Sequence, residues 1–177
     1  NLLRNVGIRP ISNVVDITNY VMFETGHPMH AFDLDRIHGN RILVQAASKG
    51  EILRTLDGQD RELDSEMLTI RDESGPIALA GVMGGLDTEV TEGTTRVLLE
   101  AAHFNNASIR KTSRRLGLRS EASGRYERGL SEENVAVAME RASYLMKALG
   151  AGVPRDAAAD NYPVRQSIPD IICRPER

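Results

Sequence analysis

Three side chains able to do chemistry stand in a mostly apolar stretch near the start of the chain. Thr18 and Asn19 lie in VVDITNYV, and His30 follows in HPMHAFD. A hydroxyl, an amide and an imidazole this close together can hold a water molecule or a carbonyl. An imidazole with its ordinary pKa near 6.5 can also accept a proton at neutral pH. His27 and His30 have the spacing of a metal pair, but no Cys, third His or carboxylate follows at a usual ligand distance. Pro28 breaks any helix that would align them, so no metal is expected.

The elements that must carry these groups are legible in outline. Val14, Ile17/Thr18, Val21 and Thr25 recur at helical spacing, with Ser12 or Asn13 as N-cap. The helix should stop by Gly26, because His27 precedes a proline and favours an extended backbone. His30 is then expected on the turn just past the helix, with its ring partly solvated.

Further along, Glu100 sits inside VLLEAAHF, where an ionised carboxylate is costly unless it is paired or hydrogen-bonded. Strand alternation puts Val97 and Leu99 on one face and Leu98, Glu100 and Ala102 on the other. Two readings stay open: an edge or outward-facing position, or an acceptor in a pocket aimed at a hydroxyl or amine. The glycine-rich Ala80–Gly85 lacks both the Lys-Ser/Thr of a P-loop and the GxGxxG spacing. Gly81 either ends a strand by close packing or offers bare backbone and a free N–H to a ligand. The stretch from Arg119 to Gly129 reads as a connection between two helices. Ser120 and Ala122 either form a pocket wall there, or the loop is held by Arg–Glu pairs. No GxSxG elbow supports a Ser-His-Asp triad.

The remaining pattern runs through several short strands. Arg41–Ala47, Met67–Arg71, Pro76–Met83 and Arg96–Ala102 read as strands, and Asp57-Gly58 as a tight hairpin turn within Glu51–Leu63. A helix is expected over Asn106–Leu116, capped by Asn105 or Asn106 and stopped by Gly117. Another is expected over Glu132–Leu149, with Ser131 as N-cap and Gly150 as stop. Its stripe of Val135, Ala138, Met139, Ala142, Leu145, Met146 and Leu149 should dock on the sheet. This order indicates an α+β fold, with mainly antiparallel β-sheets in a sandwich-like core flanked by helices.

With 177 residues the chain has the length of one domain, and its 41 % apolar residues suffice for a core with only 3 Phe, 4 Tyr and no Trp. No apolar run is long enough for a membrane span and no signal peptide is evident. The lone cysteine, Cys173, is compatible with a reducing compartment. Ala157–Arg177 contains three prolines and reads as a linker, with Ile168–Cys173 a possible strand of a following unit. The first residue is Asn rather than Met, so the chain is expected to be part of something longer. Charge is uneven against a total of −3. Between Asn105 and Leu130, Arg110, Lys111, Arg114, Arg115, Arg119, Arg125 and Arg128 face only Glu121 and Glu127. A basic island in an acidic chain is either a phosphate-contacting surface or a helix face paired with local carboxylates.

Taken together, the motifs resemble the B3/B4 region of the beta subunit of bacterial phenylalanyl-tRNA synthetases. The blocks that carry this are Ile8-Arg9-Pro10-Ile11, VVDITNYV, HPMHAFD, Leu56-Asp57-Gly58, LAGVMGG, VLLEAAHF, SIRKTSRRLGLRSEAS and RYERG, in order from Ile8 to Gly150. The resemblance implies an editing domain over residues 1–153, followed by a linker and the start of the next domain over 154–177. The implied reaction is hydrolysis of tyrosine wrongly esterified to the phenylalanine tRNA. A pocket shaped for phenylalanine rejects an analogue that merely adds a hydroxyl poorly, so a second sieve is needed.

By motif, the resemblance gives Glu100 and the Gly81 backbone recognition of the tyrosine hydroxyl. Ala80 and Ala122 shape the ring pocket, with Ser120 beside it. Thr18, Asn19 and His30 hold the ester and the attacking water, and Arg9 orients the terminal adenosine. Arg110, Lys111, Arg114 and Arg115 are candidate RNA contacts. Relatives often carry Thr, His and Gln where this chain has Ser120, Gly124 and His27. The implied partners are the acceptor end of the phenylalanine tRNA and an alpha subunit, in a tetramer of two alpha and two beta chains. The implied location is cytoplasmic. No cofactor is expected in this region, ATP and magnesium serving aminoacylation elsewhere in the enzyme. The competing class is a non-catalytic tRNA-binding or scaffolding module of the same subunit; a free-standing deacylase is a third reading, disfavoured by the non-Met start and linker-like tail.

Overall fold

The computed structural model describes residues 2–155, 158–164 and 172. In chain order they form α1 (Leu2–Asn5), α2 (Asn13–Thr25), β1 (Met29–Asp33), β2 (Leu43–Ala46), β3 (Ile52–Arg54) and β4 (Asp60–Glu62). There follow β5 (Leu68–Arg71), β6 (Pro76–Leu79), β7 (Met83–Gly84), β8 (Val97–Ala101), α3 (Asn106–Leu116), α4 (Glu121–Tyr126) and α5 (Asn134–Ala148). All strand pairs among the described residues are antiparallel, so the α+β class read from the element order is the one observed.

The opening helix starts and stops where local chemistry requires. The Ser12 hydroxyl accepts from the Val15 N–H at 3.3 Å, and Gly26 takes a left-handed φ of 77° with its N–H on the Met22 carbonyl. The next segment departs from expectation. His30 does not sit on a turn, because Met29–Asp33 continues extended as β1 and pairs with β8. The left-handed Gly26 reverses the chain, Pro28 keeps it extended, and the backbone groups beyond it find their partners in β8.

β1 and β8 form a two-stranded ribbon with cores on both sides. Ala31, with the partly buried Met29, Val97 and Leu99, packs on Val14, Ile17 and Val21 of α2 and on Ala138, Ala142 and Met146 of α5. Phe32, with Leu98 and Ala102, packs into the larger cluster of Leu53, Ile70, Leu79, Phe104, Ile109 and Tyr126. The alternation expected around Glu100 is therefore observed. The other strands make a four-stranded sheet in the order β2-β5-β6-β7 and the β3–β4 hairpin. That hairpin turns at Asp57-Gly58, where Gly58 has φ of 76°. The expected Pro76–Met83 strand is split, because Gly81 at φ of 65° folds β7 back on β6.

The helices supply two more corrections. Asn105 caps α3 as expected, but the stretch after it is not a plain loop. Ser120 and Ser123 form a reciprocal capping box that starts α4, and the small side chains hid this short helix in the sequence. α5 begins later than expected, with Glu133 at the N-cap making no side-chain bond instead of Ser131 capping it. Residues 131–133 are held in a tighter turn, with Asn134 N–H on the Ser131 carbonyl and Glu132 drawn towards His103 at 3.5 Å. Its apolar stripe docks on α2 and the ribbon, and Leu149 remains 67 % exposed past the helix end. The strand expected at Ile168–Cys173 lies outside the described residues, Ile172 excepted.

Candidate functional site

The register of the ribbon sets His30 directly opposite Glu100. Directly paired residues of an antiparallel ladder project to the same face, with Cβ atoms about 4.5–5.5 Å apart. Both line one small cavity of about 70 Å³, partly open to solvent, with Gly81, Gly84, Phe104, Ala122 and Tyr126 among its other walls. The sequence candidates His30, Gly81, Glu100 and Ala122 are thus brought together from separate parts of the chain.

His30 is held by shape. Its ring meets Phe32 edge-on, with centroids 4.4 Å apart at 85°. On the other side it rests against Gly84, where a Cβ would lie 2.5 Å from Cε1 and 2.6 Å from Nε2. Among the described residues neither ring nitrogen is hydrogen-bonded, so both are available to a water or an ester. Burial pushes its pKa down to about 4, which keeps the ring neutral at physiological pH.

Glu100 has the opposite shift from the same cause. No partner among the described residues compensates its carboxyl, and burial raises its pKa to about 7. The edge-strand reading is thereby separated from the pocket reading: this carboxyl lines a cavity and has no partner among the described residues. Gly81 closes the far side. A Cβ there would lie 3.0 Å from Phe104 Cδ2, 3.0 Å from Tyr126 Cδ2 and 3.1 Å from Ile109 Cδ1. Among the described residues no hydrogen bond engages its N–H. Close packing and bare backbone, the two readings of this glycine, are both present.

These shifts make stability depend on pH in a way that substitution separates. The raised Glu100 pKa contributes stability fully below pH 4.5, and this is lost as pH rises through 7. The lowered His30 pKa contributes stability above pH 6.5, and this is lost as pH falls through about 4. After allowance for screening in a half-open cavity, each is worth about 2 kcal/mol. In urea unfolding, Glu100→Gln should therefore stabilise the fold at pH 8 and leave it unchanged at pH 4, whereas His30→Gln should do the reverse.

Other sequence candidates stand apart from the cavity wall. Thr18 is buried on α2 with its hydroxyl on the Val15 carbonyl at 2.8 Å, and Asn19 beside it is half-buried. Ala80 is buried next to Gly81, its N–H on the Leu68 carbonyl. Ser120 braces the wall, donating to the Val82 carbonyl at 2.6 Å while it caps α4. Arg9 lines a separate shallow concavity with Arg4, Gly7, Ile8 and Pro10. On α3, Lys111 lies 3.9 Å from Glu66, and Arg115 pairs with Asp64 at 2.9 Å and Glu66 at 3.2 Å. Arg119 and Arg125 pair with Glu127 and Glu121. Among the described residues Arg110 and Arg114 have no carboxylate partner, so local pairing accounts for only part of the basic island.

Tyr126, Phe104 and Gly84 are cavity residues that the sequence did not single out. Tyr126 lies in the last turn of α4, where the sequence pattern indicates only a connection between helices. His27, matched with His30 by spacing, is turned away: its ring is wholly buried and does not line the cavity.

Comparison with known proteins identifies the family. The family model described as the B3/4 domain matches residues 1–151. The chain is 56 % identical over 99 % of its length to a phenylalanine–tRNA ligase beta subunit of Moorella thermoacetica. It is 50 % identical over 97 % to that of Nitratidesulfovibrio vulgaris, and 51 % over 94 % to that of Dehalococcoides mccartyi. The chain spans 22 %, 22 % and 20 % of those three proteins, about a fifth of each.

Proposed function

This chain belongs to the B3/4 domain family, and on that premise we propose that it is the editing part of a phenylalanine–tRNA ligase beta subunit, hydrolysing tyrosine wrongly esterified to the phenylalanine tRNA. One observation carries the reading. A carboxyl and a neutral imidazole, neither hydrogen-bonded among the described residues, stand side by side on one ribbon face and line a single cavity that Gly81 also borders.

The cavity divides the work by depth. The phenolic ring enters between Gly81, Ala122 and Tyr126, and its hydroxyl meets Glu100 and the Gly81 N–H. Above pH 7 the ionised Glu100 accepts that hydroxyl's proton in a charge-assisted hydrogen bond. Phenylalanine offers no donor, so the carboxyl would be left buried and unpaired.

Hydrolysis needs little beyond placement, because an aminoacyl ester is already activated. Water attacks the ester carbonyl, the new carbon–oxygen bond forms as the bond to the ribose oxygen breaks, and the terminal hydroxyl of the tRNA leaves with the proton. His30 holds the water and takes its proton in transit; Thr18 and Asn19 are assigned to the ester end, which requires the Thr18 hydroxyl to give up the Val15 carbonyl, and Arg9 to the terminal adenosine. Holding water and ester together supplies most of the acceleration. Its test is direct: the intact synthetase carrying this chain should clear tyrosyl-tRNA of the phenylalanine type, and His30→Ala should abolish the clearance while aminoacylation with phenylalanine persists.

RNA binding falls to the α3 cations with no carboxylate partner among the described residues. Arg110→Ala with Arg114→Ala should reduce the slope of log affinity against log salt by about 0.7 for each single-strand phosphate that is no longer neutralised. Lys111→Ala, already drawn towards Glu66, should change it less. Fluorescence anisotropy with a labelled acceptor-end RNA reads both slopes.

A further inference from the structure

His27 has no part in the chemistry above, yet its placement is unusual. Its ring is 0 % exposed, and among the described residues neither nitrogen has a hydrogen-bond partner. Burial lowers its pKa, His103 nearby acts in the same direction, and the Ala102 carbonyl offsets this in part without meeting either nitrogen in hydrogen-bond geometry. A buried polar ring with nothing to satisfy it costs stability, and an apolar side chain of the same volume would not carry that cost.

What the ring does touch is Tyr126, edge-on, with centroids 6.2 Å apart at 77°. Tyr126 is a cavity wall. Its other constraints include Phe104, edge-on at 5.2 Å, and its own hydroxyl, which donates to the Ala102 carbonyl at 2.9 Å and lies 3.5 Å from the Pro28 carbonyl. The ring edge that these leave faces Gly81, with Cδ2 only 3.0 Å from where a Cβ would stand. His27 thus closes the set of contacts that fixes how far Tyr126 reaches into the cavity.

We propose that His27 is a positioning residue: its buried ring sets the placement of the Tyr126 ring, and through it the depth at which the cavity accepts a phenolic side chain. The consequence for substrate rests on the hydrolytic reading given above. The consequence for Tyr126 does not.

The experiment compares His27→Ala with the volume-matched His27→Met, which keeps a contact on the aromatic ring. In the intact synthetase, His27→Ala should raise KM for tyrosyl-tRNA hydrolysis about tenfold and leave kcat within about twofold, the pattern of weakened binding with intact chemistry. His27→Met should restore KM. In the same enzyme labelled with carbon-13 tyrosine, the Tyr126 ring resonance, assigned through Tyr126→Phe, should move in His27→Ala and return in His27→Met. An unchanged Tyr126 resonance in His27→Ala, or a fall in kcat with KM unchanged in both variants, would overturn the proposal. If even the unsubstituted enzyme fails to hydrolyse tyrosyl-tRNA, the hydrolytic reading is lost, and the Tyr126 resonance alone decides whether His27 positions that ring.

Discussion

Glu100→Ala will remove most of the preference for tyrosyl over phenylalanyl ester, lowering kcat/KM for the tyrosyl substrate about 10- to 150-fold. That range is what a hydrogen bond to a charged group, about 1.5–3 kcal/mol, is worth as a rate ratio. The effect should be specific, because the phenylalanyl ester never had a hydroxyl to offer. Deleting the carboxyl also relieves its own burial, which holds its pKa near 7. The variant should therefore be no less stable than the parent at pH 8, where the ionised form is most costly. Single-turnover hydrolysis of the two misacylated and correctly acylated tRNAs, from pH 6 to pH 8.5, gives the comparison. In the parent the discrimination should rise through pH 7 as Glu100 ionises, and in the variant it should stay flat. A variant that keeps the parental ratio would remove Glu100 from recognition.

Gly84→Ala is the second large effect and tests placement instead of recognition. No left-handed conformation is required at this glycine, so the backbone tolerates alanine. The new methyl would lie 2.5 Å from the His30 ring, however, and Phe32 blocks retreat on the other side at 4.4 Å between ring centroids. His30 must rotate out of its seat. A displacement of about 1 Å in a placement-driven reaction costs about 100-fold, so hydrolysis should fall by that order while the fold persists. Gly81→Ala makes a useful contrast. There the residue has φ of 65° and meets Phe104, Tyr126 and Ile109, so stability and cavity shape should both suffer. Thermal unfolding beside the hydrolysis rate separates the two: rate without stability for Gly84, both together for Gly81. Normal hydrolysis by Gly84→Ala would show that the seat of His30 is not needed.

Local chemistry was the legible part of this fold. Ser12 and Gly26 bound one helix, Asn105 and Gly117 bound another, and Asp57-Gly58 turns a hairpin, each through a capping or turn rule that acts over a few residues. The face of β8 that carries Glu100 followed from period-two alternation. What could not be read is what depends on partners distant in sequence. HPMHAFD has no strand signature of its own and becomes β1 only because β8, far along the chain, supplies its hydrogen bonds. Tyr126 and Gly84 enter the cavity through tertiary packing, and no spacing in RYERG or GVMGG announces that. The basic island gave a charge but not its partners: Asp64 and Glu66, which neutralise Lys111 and Arg115, come from a different part of the chain. His30, Gly81 and Glu100 became candidates through single-residue arguments, and only the resemblance implied that they share one pocket.

The double-sided ribbon has one more consequence, for misfolding. Side chains alternate along β1 and β8, so a slip of one residue in either strand would exchange its two faces. Slipping β8 would turn Glu100 into the layer of Val14, Ile17, Val21, Ala138 and Ala142, an apolar environment with no polar answer. Slipping β1 would send His30 there and leave Ala31 in the cavity. The same two ionisable groups that equip the cavity thus act as a lock on strand register. Any chain that folds with the wrong alignment is penalised by the residues it would need for work, and a population of stable but inert, misaligned molecules is suppressed.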